Sequence, residues 1–294
     1  MELQRSQFDF LRQYIHRLCG LVITDEKMYL VTQRLDPLLE RNRIASYAEL
    51  CTKLGQGTDD RLNKEIIIAM TTNETFFFRD VHPFDTFLGS TLPELERRIV
   101  ERKARVPTRS GPKVRIWCAA SSTGQEPYSL AMLITEYVRS RIGSPLQLED
   151  FEILATDISA EVLAKAMLGE YSDFEINRGL STARRDRYFR KERDIWKIEP
   201  AVQRLITFRQ MNLMESFSWM GNFDVIFCRN VLIYFDNAAK SRICTQLIQM
   251  LTDSGYLFLG ASENMLFLDT GSLCFKTVHT GNTIYYQKTA PGGC

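Results

Sequence analysis

From Val114 to Ala131 the chain passes from an apolar strand pattern, through the small residues Ala119, Ala120, Ser121, Ser122 and Gly124, into an apolar helix pattern that opens with Glu126. A backbone approaches a ligand closely only where side chains are small, and the free N–H groups of a helix start add polar donors. The turn therefore reads as a nucleotide-cofactor turn, with plain strand-to-helix packing as the alternative. Glu126 sets the sign of the ligand. A carboxylate at that helix start repels a pyrophosphate and attracts the ammonium of an amino-acid cofactor, which favours S-adenosylmethionine over a nicotinamide dinucleotide.

From Val114 to the C-terminus the chain keeps an α/β rhythm. Strand patterns at Val114–Ala119, Phe151–Thr156, Leu205–Phe208, Phe223–Cys228 and Tyr256–Leu259 alternate with helical ones, including one built on Leu130, Leu133, Ile134 and Tyr137 and one on Ile243, Leu247 and Leu251. The expected sheet is mostly parallel. Phe275–Val278 and Thr283–Tyr286 flank Thr280-Gly281-Asn282, a hairpin that places an antiparallel strand in the sheet. The first third reads as helical instead, with Phe8, Leu11, Ile15 and Leu18 on one face, Met28, Val31, Leu35 and Leu38 on a second, and Leu62, Ile66 and Met70 on a third. Pro37 predicts a kink or a restart in the second of these.

A further helix through Phe84, Phe87, Leu88 and Leu95 leads to a charged stretch with Pro and Gly at 101–113. The expected organisation is a helical domain over 1–100, a linker over 101–113, a catalytic domain over 114–288 and a disordered tail over 289–294. No apolar run reaches membrane-spanning length, the start lacks the order of a signal peptide, and seven cysteines show no close pair. The expectation is a cytoplasmic, reduced protein, with Cys118 and Cys228 as small core residues. His16, His82 and His279 have no metal-ligand spacing, so no metal is expected. A net charge of +1 gives no general reason to expect nucleic acid.

In open α/β sheets ligands bind beyond the carboxyl ends of the strands, so polar residues that end each strand pattern should converge. Asp157 follows the second strand and suits ribose hydroxyls, or simply a helix N-terminus. Asn212 follows the third, suited to an adenine edge or to an ordinary turn. Arg229, Asn230 and Tyr234 follow the fourth, where cofactor and substrate would meet. Upstream, Thr71–Asp80 crowds polar groups beside Phe76, Phe77 and Phe78. It reads as a site wall, as an interdomain packing segment, or as both.

Taken in order, the segments Thr71–Asp80, Trp117–Ala131, Ala155–Ser159, Phe223–Phe235 and Gly255–Glu263 resemble the CheR family of chemotaxis receptor methyltransferases, from about residue 8 to Gln287. The resemblance implies a Rossmann-like S-adenosylmethionine-dependent methyltransferase sheet, an N-terminal all-helical domain and a small antiparallel β insertion at about 188–208. It implies a cofactor held by Asn73, Thr75, Arg79, Glu126, Asp157, Asn212, Leu213, Arg229 and Asn230, with Arg79 and Tyr234 flanking the transferred methyl and the substrate carboxylate. The implied substrates are glutamate side chains on the cytoplasmic helical bundles of chemoreceptors, converted to γ-glutamyl methyl esters by a monomeric enzyme.

Lys27, Arg34, Arg41 and Arg43 are expected to face the acidic surface around the methylation sites, with a solvated helix face as the alternative and Glu40 interrupting the set. Within the insertion, Phe189–Trp196 is short and has no glycine. In some members a glycine-containing loop there grips a C-terminal receptor peptide as an added strand; this chain is expected to work without such a tether. The rival readings are a dehydrogenase, a receptor-docking sensor of S-adenosylmethionine and a nucleic-acid methyltransferase. They meet, respectively, a missing proton-transfer residue, the presence of Arg79 and Tyr234, and the lack of a basic aromatic groove.

Overall fold

A computed structural model describes residues 1–57, 59–105, 113–266 and 274–290. The N-terminal region packs α1 (Arg5–Cys19), α2 (Met28–Arg41), α3 (Tyr47–Gln56) and α4 (Asp60–Met70) around Phe8, Leu11, Ile15, Val31, Leu35, Tyr47, Leu50 and Ile66. α2 runs unbroken through Pro37. α3 is an element that the apolar periodicity does not reveal; its start is fixed by the Ser46 hydroxyl, which accepts from the Glu49 N–H, and its apolar face is Tyr47, Leu50 and Leu54. α1 ends at Gly20 with φ of 75°, and an added Cβ there would strike the Met214 sulfur and come within 2.6 Å of the Phe235 ring. Glycine is required where this helix end meets Met214 and Phe235.

α5 (His82–Thr86) continues through a π turn at Phe87–Thr91 into α6 (Leu92–Arg105). Residues 101–105 of the expected linker are thus the last turn of a helix, whose Lys103 bonds Asp150 at 2.7 Å. The linker's next residues, 106–112, and residues 291–294 of the expected disordered tail lie outside the described set.

The main sheet contains β1 (Val114–Ala119), β2 (Phe151–Asp157), β6 (Ile206–Gln210), β7 (Phe223–Cys228), β8 (Leu251–Leu259), β9 (Phe275–Thr280) and β10 (Thr283–Lys288). Its order is β6-β2-β1-β7-β8-β10-β9, parallel from β6 to β8, with β10 antiparallel to both its neighbours. The expected hairpin therefore enters the sheet by its second strand. Both faces are buried, as parallel strands require: Ile116, Cys118, Val225 and Phe227 on one side, Trp117, Ala119, Ile226 and Cys228 on the other.

α7 (Gln125–Ser140) follows β1, and α8 (Ala160–Leu168) follows β2. The small sheet has the order β3-β5-β4, from β3 (Glu170–Ser172), β4 (Phe189–Glu192) and β5 (Ile195–Ile198). It begins upstream of the expected 188–208 insertion, because β3 pairs with β5 across α9 (Asp173–Asn177) and α10 (Thr182–Tyr188), while Ile206–Gln210 joins the main sheet. α11 (Pro200–Gln203) returns the chain to that sheet, and α12 (Asn237–Met250) covers the Trp117 side. Cys19, Cys51, Cys118, Cys228 and Cys244 are free thiols, whereas Cys274 is disulfide-bonded.

Candidate active site

The carboxyl ends of β1, β2, β6 and β7 open into a cavity of about 1000 Å³, solvent at its mouth included, whose far wall is the end of α1 at Cys19 and Leu21. Every cofactor and catalytic residue expected from the sequence, from Asn73 to Tyr234, lines it. The convergence follows from topology: each parallel strand ends on the same edge, and each apolar run stops at a polar residue there.

The turn after β1 is left-handed at Ala120, Ser122 and Gly124, with φ of 58°, 50° and 93°. This aims backbone N–H groups at the strand tips: Ser121 donates to the Thr156 carbonyl at 2.8 Å, and Ser122 to Asp157 Oδ2 at 2.9 Å. Asp157 Oδ1 accepts from the Ser159 N–H at 2.9 Å. Burial raises the Asp157 pKa above the ordinary carboxylate range, and these backbone donors pull it back. An ionised carboxylate offers about four acceptor positions, so capacity remains for a hydroxyl of a ligand.

Glu126 stands in the first turn of α7 and is held by Arg229 Nη1 at 2.9 Å. Burial raises its pKa, and the Arg229 charge works in the other direction. Arg229 is almost fully buried, its side chain 1% exposed. Its Nη2 also donates to Asp80 Oδ2 at 2.7 Å and to the Arg79 carbonyl at 3.0 Å. Two buried polar atoms of residues on the cavity wall, Arg229 Nε and Ser121 Oγ, have no hydrogen-bond partner among the described residues. Unpaired groups of this kind fit a wall that receives a polar ligand.

The Asn212 side chain donates to the Leu18 carbonyl at 2.9 Å and accepts from the Met214 N–H at 3.0 Å. The group expected at an adenine edge thus fastens α1 to the strand tip. One amide N–H of Asn212 and the backbone of Leu213 remain for a ligand, whereas the Asn212 carbonyl accepts from the Glu215 N–H at 3.1 Å. Asn230 has φ of 59°, and its N–H donates to Glu263 Oε2 at 2.8 Å. Tyr234 closes the turn Leu232–Tyr234, and its carbonyl accepts from the Val22 N–H at 2.9 Å. Arg79 donates to the Glu74 carbonyl at 2.8 Å with its guanidinium 5.6 Å from the Phe76 ring centre. Asn73 and Thr75 lie on the non-helical segment between α4 and that arginine, anchored where Ser122 Oγ donates to the Asn73 carbonyl at 2.8 Å.

Glu263 and Asp80 do not line the cavity but hold residues that do, Asn230 and Arg229, although the sequence alone does not point to them. Glu263 accepts from the N–H groups of Asn230, Leu232, Ile233 and Gly260, so a single carboxylate shapes the whole loop carrying Tyr234. Its one sequence signal is its place at the end of the Gly255–Glu263 motif.

The basic set on the helical domain is not one patch. Arg34 donates to the carbonyls of Met70 and Thr71, at 2.5 and 3.1 Å, and to the Thr72 hydroxyl at 2.8 Å. It caps the end of α4, because a helix C-terminus leaves carbonyls that a guanidinium can satisfy. Arg41 and Arg43 line a separate hollow with Arg61, and exposed Lys27 stands at the opposite end of α2. Among the described residues no histidine lines the main cavity, and burial pushes the Cys118 and Cys228 thiols far up, as expected of core cysteines.

Residues 73–279 match the family described as CheR methyltransferase, SAM binding domain, and residues 6–71 match the CheR methyltransferase all-alpha domain. The chain belongs to the CheR methyltransferase family. Chemotaxis protein methyltransferase 1 of Pseudomonas aeruginosa is 40% identical over 265 residues, 90% of this chain and 92% of that one. The chemotaxis protein methyltransferase of Vibrio parahaemolyticus is 42% identical over 258 residues, 87% of this chain and 88% of that one. As a CheR member the chain is an S-adenosylmethionine-dependent methyltransferase of chemotaxis; the cavity at the strand tips is lined mostly by residues of the S-adenosylmethionine-binding match, with Cys19, Leu21, Thr71 and Thr72 completing it from the N-terminal side. No helix among the described residues is long and apolar enough to cross a membrane.

Proposed function

We propose that this CheR methyltransferase esterifies glutamate side chains on the cytoplasmic helical bundles of chemoreceptors, forming γ-glutamyl methyl esters, and acts as a cytoplasmic monomer. The observation that carries this reading is the division of charge in the cavity. Acidic Glu126 and Asp157 stand at the strand tips, while Arg79 shares the wall with Tyr234.

Glu126 would hold the cofactor's ammonium, Asp157 its ribose hydroxyls, and Asn212 with Leu213 its adenine, with Asn73, Thr75, Arg229 and Asn230 completing the wall. Bound there, S-adenosylmethionine supplies a methyl group on a sulfonium, an intrinsically good leaving group. A substrate glutamate has a reference pKa of about 4.3 and is already ionised at neutral pH, so the protein needs no general base. Its task is placement, which can supply roughly 7 to 11 kcal/mol of a barrier. Arg79 holds the carboxylate through charge-assisted hydrogen bonds and Tyr234 aims it.

Arg41 and Arg43 remain available to an acidic receptor surface, as no carboxylate among the described residues pairs with either; Arg34 is fixed within the fold. We also propose that no receptor tether is needed. The β4–β5 hairpin turns at Arg193, φ of 58°, without a glycine, and its outer strand carries the exposed charges Arg190, Lys191 and Glu192, which discourage strand addition.

The test is incubation with methyl-labelled S-adenosylmethionine and membranes bearing candidate receptors. Label that leaves the receptor as methanol in mild base supports the ester; label that stays fixed in base, or none on the receptor, contradicts it. Binding of a receptor C-terminal pentapeptide to the hairpin would overturn tether independence.

A further inference from the structure

Arg79 sits in a segment of unusual backbone: Phe78, Asp80 and Val81 have φ of 52°, 68° and 52°. The left-handed region is uncommon for any side-chain-bearing residue and an outlier for a β-branched one. Val81 is 59% exposed, so its side-chain packing does not account for this. Strained backbone persists only where its surroundings over-determine it. Three attachments do so here. The Phe78 N–H donates to Ser129 Oγ at 3.0 Å, the Arg79 carbonyl accepts from Arg229 Nη2 at 3.0 Å, and Asp80 Oδ2 accepts from the same Nη2 at 2.7 Å. Within the segment, Val81 N–H bonds the Phe78 carbonyl at 2.9 Å and His82 N–H bonds the Asp80 carbonyl at 2.5 Å.

Arg229 is buried and reaches from this turn to Glu126, 2.9 Å away on its other nitrogen. One guanidinium therefore joins the acidic side of the cavity to the backbone that presents Arg79. Among the described residues the Asp80 carboxylate has no other hydrogen-bonding or ionic partner than Arg229. Its geometry is that of a clasp on the turn.

We propose that Asp80 is a positioning residue: by gripping Arg229 it holds the strained Phe78–Val81 turn, and so keeps the Arg79 guanidinium in place for the substrate carboxylate. The inference rests on the reading that Arg79 receives that carboxylate. Asp80 itself touches neither substrate nor cofactor.

The experiment uses the full chain as wild type, Asp80→Asn, Arg79→Ala, the double variant and Val81→Gly. Each is assayed for methyl transfer to a receptor fragment, for S-adenosylhomocysteine affinity by calorimetry, for thermal midpoint, and for amide hydrogen exchange at Val81 and His82. A displacement of about 1 Å can cost about 100-fold in rate, so Asp80→Asn is expected to lower kcat by roughly 10- to 100-fold with little change in affinity. The double variant should be no slower than Arg79→Ala alone. Val81→Gly relieves the strain, so its thermal midpoint should hold or rise while kcat falls, a combination that a merely structural role does not give. Both Asp80→Asn and Val81→Gly should speed exchange at the two amides. Multiplying effects in the double variant, wild-type kcat in Val81→Gly, or unchanged exchange in Asp80→Asn would overturn the proposal. A wild type that methylates no receptor glutamate would remove the substrate reading alone, and the exchange data would still decide whether Asp80 holds the turn.

Discussion

Arg229 Nη1 lies 2.9 Å from Glu126 Oε2, and the arginine side chain is 1% exposed, so a cation and an acid meet out of water in the wall of the cavity at the strand tips. Removing one member of such a pair leaves a buried charge alone, a change that costs about 3 to 5 kcal/mol in comparable cases. The pair also fixes how the site responds to pH.

Burial raises the pKa of Glu126, and of Asp157, above the ordinary carboxylate range. A raised folded-state pKa contributes stability below the unfolded value, and that contribution is lost as pH rises through the folded value. The free protein should therefore lose stability on moving from the ordinary carboxylate range up through these two pKa values. An ammonium beside Glu126 favours its ionised form, so binding releases a proton and affinity for S-adenosylhomocysteine should rise with pH across the Glu126 window, then level off. Calorimetry of wild type and Glu126→Gln checks the slope: the variant should bind more weakly and lose the Glu126 part of the pH dependence. An identical profile in both would place the ammonium elsewhere.

Glu263 is expected to matter as much as residues that face the ligand. It accepts from four backbone N–H groups, of Asn230, Leu232, Ile233 and Gly260, at 2.8, 2.7, 3.3 and 2.6 Å. Glu263→Ala leaves those donors without their acceptor, so a loss of about 2 kcal/mol or more in stability is expected, with a fall in turnover as the Tyr234 loop loosens. Denaturant unfolding and steady-state kinetics measure the two effects, and wild-type values for both would contradict the role.

Most of the fold is legible in the sequence because its signals are local. Asp157 and Arg229 each end an apolar run at a strand tip, and topology alone carries such residues to one edge of the sheet. The α3 helix escapes such a reading because its short apolar set, Tyr47, Leu50 and Leu54, falls between two stronger patterns. The pairing of β3 with β5 spans an intervening pair of helices and leaves no mark in sequence spacing. Asp80 and Glu263 act by joining segments far apart in the chain, and a carboxylate's distant partner cannot be read from its neighbours.

Arg34 shows the same limit from the other side. Its charge suggests a receptor contact, yet its guanidinium closes the end of α4 on Met70, Thr71 and Thr72. Arg34→Ala should lower stability by about 1 to 3 kcal/mol through the unsatisfied carbonyls. Arg41→Ala with Arg43→Ala should leave stability nearly unchanged and raise KM for the receptor. Thermal unfolding beside receptor-dependent kinetics separates the two; a raised KM with full stability in Arg34→Ala would restore it to the receptor surface.

The most direct measurement is the effect of Arg79→Ala on turnover and on cofactor affinity in the same preparation. If Arg79 orients a substrate carboxylate while Glu126 and Asp157 hold the cofactor, turnover should fall by about 100-fold and the dissociation constant for S-adenosylhomocysteine should change far less. An equal loss in both would contradict the division of the cavity into a part that holds the methyl donor and a part that holds its acceptor.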